Sequence, residues 1–112
     1  MANPTELQAK SSGRGTAAEI SSAIANRHLL GFLYDGHLRV VEPHTFGIIR
    51  EGRHALCGFQ VGGGSRSGEG VGWKTFYVAD MSGLRELKRS FKQSRPEYRR
   101  GDRGFTSILA EL

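Results

Sequence analysis

The stretch Gly31–His44, GFLYDGHLRVVEPH, decides the fold. Two apolar runs meet there at Asp35-Gly36, and a two-residue type I′ turn needs φ > 0 at both central positions, which Asp-Gly supplies at low steric cost. The dipeptide therefore predicts a β-hairpin. With it as the loop, Tyr34 falls opposite His37, Phe32 opposite Arg39 and Leu30 opposite Val41, and the two-residue period places all of these on one face. Leu29, Gly31, Leu33, Leu38, Val40 and Glu42 share the other face, and the Leu33–Leu38 pair makes that face the expected core. The first face mixes rings with imidazole and guanidinium, groups that stack on a planar ligand or grip an anion. Phe32, Tyr34, His37 and Arg39 are therefore the candidate ligand-binding residues. The same side chains also have a purely architectural reading, in which Phe32 and Tyr34 cover a second small core and Arg39 lies along them with its head in water.

Upstream of the hairpin, residues 1 to 15 are polar and rich in Gly and Ser, the composition of a disordered tail. Thr16 and Glu19 have capping-box spacing, and Ala17, Ile20, Ala23 and Ile24 follow at helical spacing, predicting an amphipathic helix over 17 to 27. Downstream, Pro43 cannot donate to a ladder and predicts a bend. Two more strands follow around Glu51-Gly52, the second with Ala55, Cys57, Phe59 and Val61 on one face. Gly62 to Gly70 reads as a flexible connection that fits neither the Walker pattern nor the dinucleotide fingerprint. Gly72 to Ala79 is a strand with Trp73, Thr75 and Tyr77 on one side and Lys74, Phe76 and Val78 on the other. Met81, Leu84, Leu87 and Phe91 suggest a short helix or turn, and Phe105, Ile108, Leu109 and Leu112 a C-terminal helix over 105 to 111. The sum is a mainly β, α+β chain: a small bent antiparallel barrel of about five strands, with a helix at each end, which removes exposed sheet edges.

A chain of 112 residues fits a single domain, here residues 16 to 112. Sixteen Lys and Arg oppose eleven Asp and Glu, for a net charge of +5. The excess concentrates between Arg85 and Arg103, RELKRSFKQSRPEYRRGDR, where Phe91 and Tyr98 interleave with the cations. Such a segment suits a nucleic-acid backbone, with Arg95, Arg99 and Arg100 as the residues that would track phosphates. The single Cys57 excludes an internal disulfide, and the chain has neither an apolar run of membrane-spanning length nor a secretory h-region, so a cytoplasmic protein without membrane contact is expected. Paired carboxylates for acid–base chemistry are missing, Cys57 falls mid-strand beside apolar neighbours, and His28, His37, His44 and His54 lack ligand spacing. No enzyme activity, cofactor or metal is therefore expected.

Several pieces occur in a recognisable order: Ile20, Ala23 and Ile24; Phe32-Leu33-Tyr34; Arg39-Val40-Val41-Glu42-Pro43; His54 to Phe59; and Trp73 to Val78 with Met81. Together, over residues 17 to 88, they resemble a WYL domain. The resemblance implies an Sm/SH3-like barrel that binds a ligand, often proposed to be a nucleotide or nucleic acid, in bacterial transcription regulators and phage-defence systems. It carries Tyr34 and Arg39 over as ligand residues. Where the family's Trp-Tyr-Leu would fall, this chain has His54-Ala55-Leu56, and the short N-terminal tail leaves no room for the DNA-reading helices of a WYL regulator. The expected function is a non-enzymatic module for a nucleotide or single-stranded nucleic acid. The alternative is an oligomeric scaffold, a homo-oligomer or the subunit of a larger complex, since small barrels of this type associate edge to edge.

Overall fold

The computed structural model describes residues 14 to 112, so the tail expected over 1 to 15 lies outside the described residues except at its end, where Arg14 and Gly15 are already helical. The helix α1 (Arg14–Asn26) leads into β1 (His28–Tyr34), β2 (His37–Ile49), β3 (His54–Gly63), β4 (Gly72–Tyr77), a 3-10 turn (Val78–Asp80), β5 (Ser82–Ser90) and β6 (Phe105–Glu111). All strands belong to one antiparallel sheet of order β4-β3-β2-β1-β5, with β6 also paired to β2.

The hairpin register is as the turn dictates: Leu30 pairs with Val41, Phe32 with Arg39, Leu33 with Leu38 and Tyr34 with His37. Asp35 and Gly36 have φ of 53° and 75°, both positive as a type I′ turn requires. At the tip of the hairpin, however, the inside is the reverse of the expectation, although Leu29, Gly31 and Glu42 of the expected core face are buried. Leu33 and Leu38 are 46% and 54% exposed, whereas Leu30, Phe32 and Val41 join Ile20, Ala23, Ile24, Phe46, Leu56, Phe76 and Leu84 in the core. Both faces carry apolar side chains, so alternation could not choose between them; the docking of α1 decides, since its apolar stripe packs on the Phe32 side.

Strand β2 is the spine. It does not stop at Pro43 but continues to Ile49, with its register against β3 slipping between Pro43 and Thr45. Because β3 occupies one edge of β2 from Arg39 to Ile48, β1 and β6 must share the other, β1 over His37–Val41 and β6 over Thr45–Ile49. Glycines make this crowding possible: a Cβ on Gly47 would lie 2.1 Å from the Ser107 carbonyl oxygen of β6.

Residues 105–111 form β6 rather than a C-terminal helix, and residues 82–90 form β5 rather than a short helix or turn, giving six strands where about five were expected. The two false helical spacings have different causes. In β6, Thr106 and Leu109 are skipped by the register against β2, and each extra residue turns a spacing of two into one of three. In β5, Leu84 packs into the core while Leu87 lies against Gly31 on the other face, so apolar side chains of both faces imitate a helical stripe. Glu19 is not at a helix start: α1 already includes Arg14, and Glu19 Oε2 accepts a 2.7 Å hydrogen bond from the Glu86 amide of β5.

Candidate functional site

Pairing fixes which side chains share a face. Arg39, Gln60 and Phe76 lie on the face that packs the core, and Lys74, two residues before Phe76 on β4, shares it. Glu42, Phe59 and Trp73 are cross-strand partners on the opposite, outer face.

On the inner face, Arg39 is only 3% exposed. Its Nε and Nη2 donate to the Tyr34 carbonyl at 3.3 and 3.1 Å, and its Nη1 donates to Gln60 Oε1 at 3.2 Å. The guanidinium carbon lies 5.5 Å from the Tyr34 ring centre and 5.6 Å from that of Phe76. No carboxylate is ion-paired with it among the described residues. Those bonds engage one hydrogen on each of its three nitrogens, so of the five N–H groups of an arginine, one on Nη1 and one on Nη2 have no acceptor among the described residues. Gln60 is oriented from behind, its Nε2 donating to the Gly62 and Gly64 carbonyls at 2.9 and 3.0 Å.

The glycine-rich connection is pinned down at its base rather than loose. The Gly64 amide donates to the Leu38 carbonyl at 3.1 Å, and Gly63, with φ 89°, passes so close that a Cβ there would meet that carbonyl oxygen at 2.0 Å. Beyond it the chain folds on itself, with Ser65 Oγ 3.1 Å from Ser67 Oγ and donating to the Glu69 carbonyl at 3.0 Å. This loop forms one wall of an open cavity of about 460 Å³, with Arg39, Tyr34 and Phe76 inside and Ser65, Arg66, Ser67, Lys74 and Asp35 around it. Arg39, Arg66 and Lys74 oppose the single acid Asp35 in that lining.

The other expected ligand residues are placed unequally. Tyr34 is half-buried; its Oη accepts the Tyr77 amide hydrogen at 2.9 Å, and burial pushes the phenol up from its ordinary pKa. His37 lies over Gly64 at the base of the loop. Phe32 is 1% exposed and packs in T-shaped contacts with Tyr34 and Phe76, so it has no surface to offer a ligand.

The basic segment is on the outer face, as an irregular arm over residues 91–104. Its anchor is His44, fully buried, whose Nδ1 donates to the Glu42 carbonyl at 2.9 Å while Nε2 accepts from the Arg95 amide at 3.1 Å. Those roles fix the neutral imidazole, and burial holds its pKa below the ordinary histidine value. Arg95 donates through Nε and Nη2 to the two Glu42 oxygens at 2.8 and 3.0 Å and lies 4.0 Å over the Phe59 ring. Arg100 donates to the Leu112 carbonyl at 2.9 Å and is ion-paired with Glu111. Of the arginines expected to track phosphates, therefore, Arg95 and Arg100 hold the arm down, and only Arg99 is exposed without an ion pair among the described residues. A cavity of about 520 Å³ beneath the arm is lined by Arg99 and Arg103 but also by Glu97 and Asp102, so its free charges balance. Half-buried Cys57 lines it too, its thiol pushed up by desolvation.

Gln60, Arg66 and Lys74 were not singled out from the sequence. Gln60 left one signal, a polar side chain in an otherwise apolar strand that needs a partner if buried. Among the described residues no group of three or more His, Cys, Asp or Glu is arranged to hold a metal, and no helix is long and apolar enough to cross a membrane. Comparison with protein-family models, with curated proteins and with solved structures finds no match to this chain.

Proposed function

We propose that this protein is a non-enzymatic ligand-binding module and that the cleft around Arg39 receives a nucleotide or the phosphate-bearing part of a single-stranded nucleic acid. The observation that carries the reading is Arg39 itself. Burying a cation without a counter-charge costs several kcal/mol; among the described residues Arg39 has none, and two guanidinium hydrogens are left unused there, an arrangement that suits an anion from outside. The cation excess of the lining supports the same reading. The WYL resemblance, a barrel of SH3/Sm type, a cytoplasmic setting and a regulatory or defence role in a bacterium belong to this proposal as its wider frame.

The separation of Arg39 from the basic arm favours a compact ligand over a long strand lying across both. Fluorescence anisotropy of a labelled nucleotide and a labelled oligonucleotide at low salt tests the reading. Binding by the wild type, weakened about tenfold or more in Arg39→Lys, is the expected result, because Lys keeps the charge and loses the fork. Equal binding by the two proteins would contradict it.

The scaffold reading has one observation of its own: the exposed Leu33–Leu38 pair at the hairpin tip, an apolar spot on the outer face. Sedimentation of the wild type and of Leu38→Glu tests it; a stable oligomer lost in the variant would favour the scaffold.

A further inference from the structure

Resting on the reading above, the geometry points to a narrower ligand chemistry: the cleft recognises a terminal phosphate monoester, carried by a mononucleotide or by the end of a strand, and not an internal phosphodiester. The reason is where the unused donors sit. The two N–H groups left spare among the described residues belong to an arginine that is 97% buried, its guanidinium flanked by the Tyr34 and Phe76 rings and by the pinned base of the glycine loop. A group that reaches such donors must project. An internal phosphodiester is flanked by a sugar on each side and offers two free oxygens at the side of a chain, whereas a terminal phosphate presents three oxygens at the tip of one.

The charges agree with a dianion. Buried Arg39, half-buried Lys74 and exposed Arg66 set three cations against Asp35. Neither Lys74 nor Arg66 is ion-paired among the described residues. A terminal phosphate carries close to two negative charges at neutral pH, where a diester carries one. Two guanidinium N–H groups, one on each terminal nitrogen, suit oxygens of such a tip.

The test compares one short oligonucleotide in three forms, 5′-phosphorylated, 3′-phosphorylated and unphosphorylated, with a nucleoside 5′-monophosphate and the bare nucleoside as competitors. A phosphorylated form should bind about tenfold or more tighter than the unphosphorylated one, and the monophosphate should compete where the nucleoside does not. Which of the two ends gains, or whether the monophosphate alone does, identifies the source of the phosphate. The increment should shrink in Arg39→Lys and in Lys74→Ala; the second variant alters a partly exposed side chain, so it keeps the test meaningful if the first unfolds. Equal binding of phosphorylated and unphosphorylated strands overturns the terminal-phosphate inference while leaving the site itself standing. Absence of binding by every probe, the monophosphate included, overturns the site as well. An increment unchanged in both variants places the phosphate elsewhere and overturns the inference.

Discussion

Arg39 and Arg95 sit on opposite faces of the same sheet, and each lies against aromatic rings, yet they are finished differently. Arg95 meets both oxygens of Glu42 and closes its charge inside the protein. Among the described residues Arg39 meets only carbonyl-type oxygens, from Tyr34 and Gln60, which satisfy some of its hydrogens without cancelling its charge. The difference separates two uses of arginine: a bidentate ion pair fastens an irregular arm to the sheet, and, on the function proposed above, an unneutralised guanidinium keeps attraction in reserve for an anion.

The largest expected effect breaks the inner face. Phe32→Ala removes a fully buried ring that supports both Tyr34 and Phe76, and should cost about 3–5 kcal/mol in a denaturant melt. Next comes the rivet on the outer face. Glu42→Gln keeps the shape and deletes the charge, and should cost about 1.5–3 kcal/mol, the range for hydrogen bonds to charged groups; the figure stays below that of a fully buried pair because the Arg95 side chain is 36% exposed. Nucleotide binding at Arg39 should survive this change, since Glu42 points to the other face.

A smaller effect depends on pH. The folded protein holds His44 below the ordinary histidine pKa, so between the two values the unfolded chain binds the extra proton and the folded one does not. Stability from this residue is therefore complete above about pH 6.5, the unfolded value, and falls as pH drops from there toward the folded pKa. Melting temperature measured from pH 7.5 downward should show the decline, and His44→Gln should flatten it. The smallest effect is on the hairpin's exposed side: Leu33→Ala should change stability by about 0.5 kcal/mol or less, as at an ordinary surface position. A loss comparable to that of Phe32→Ala would exchange the two faces.

How much of this was legible in the sequence follows from what each signal can carry. Asp35-Gly36 specifies a turn, and a turn specifies register, so the cross-strand pairs of β1 and β2 were readable in full. A two-sided apolar hairpin does not say which side the rest of the chain covers, so the inside was read backwards at Leu33 and Phe32. Bulges disguised β6 as a helix because an inserted residue imitates helical spacing, and β5 read as helical because Leu84 and Leu87 are apolar on opposite faces. Tyr34 and Arg39 could be chosen as site residues from their neighbours in the hairpin. Lys74 and Arg66 could not, because they reach the same cavity only through the β3–β4 pairing and the loop between those strands. The pairing of Arg95 with Glu42 spans 53 residues, and no local pattern announces it.

The most direct measurement is the side-chain Nε–Hε spectrum of the arginines during titration with a nucleoside 5′-monophosphate. The expected result is a saturable shift of the Arg39 signal, with Arg95 and Arg100 unmoved on the opposite face. Shifts confined to Arg99 or Arg103 beneath the arm, with Arg39 silent, would contradict it.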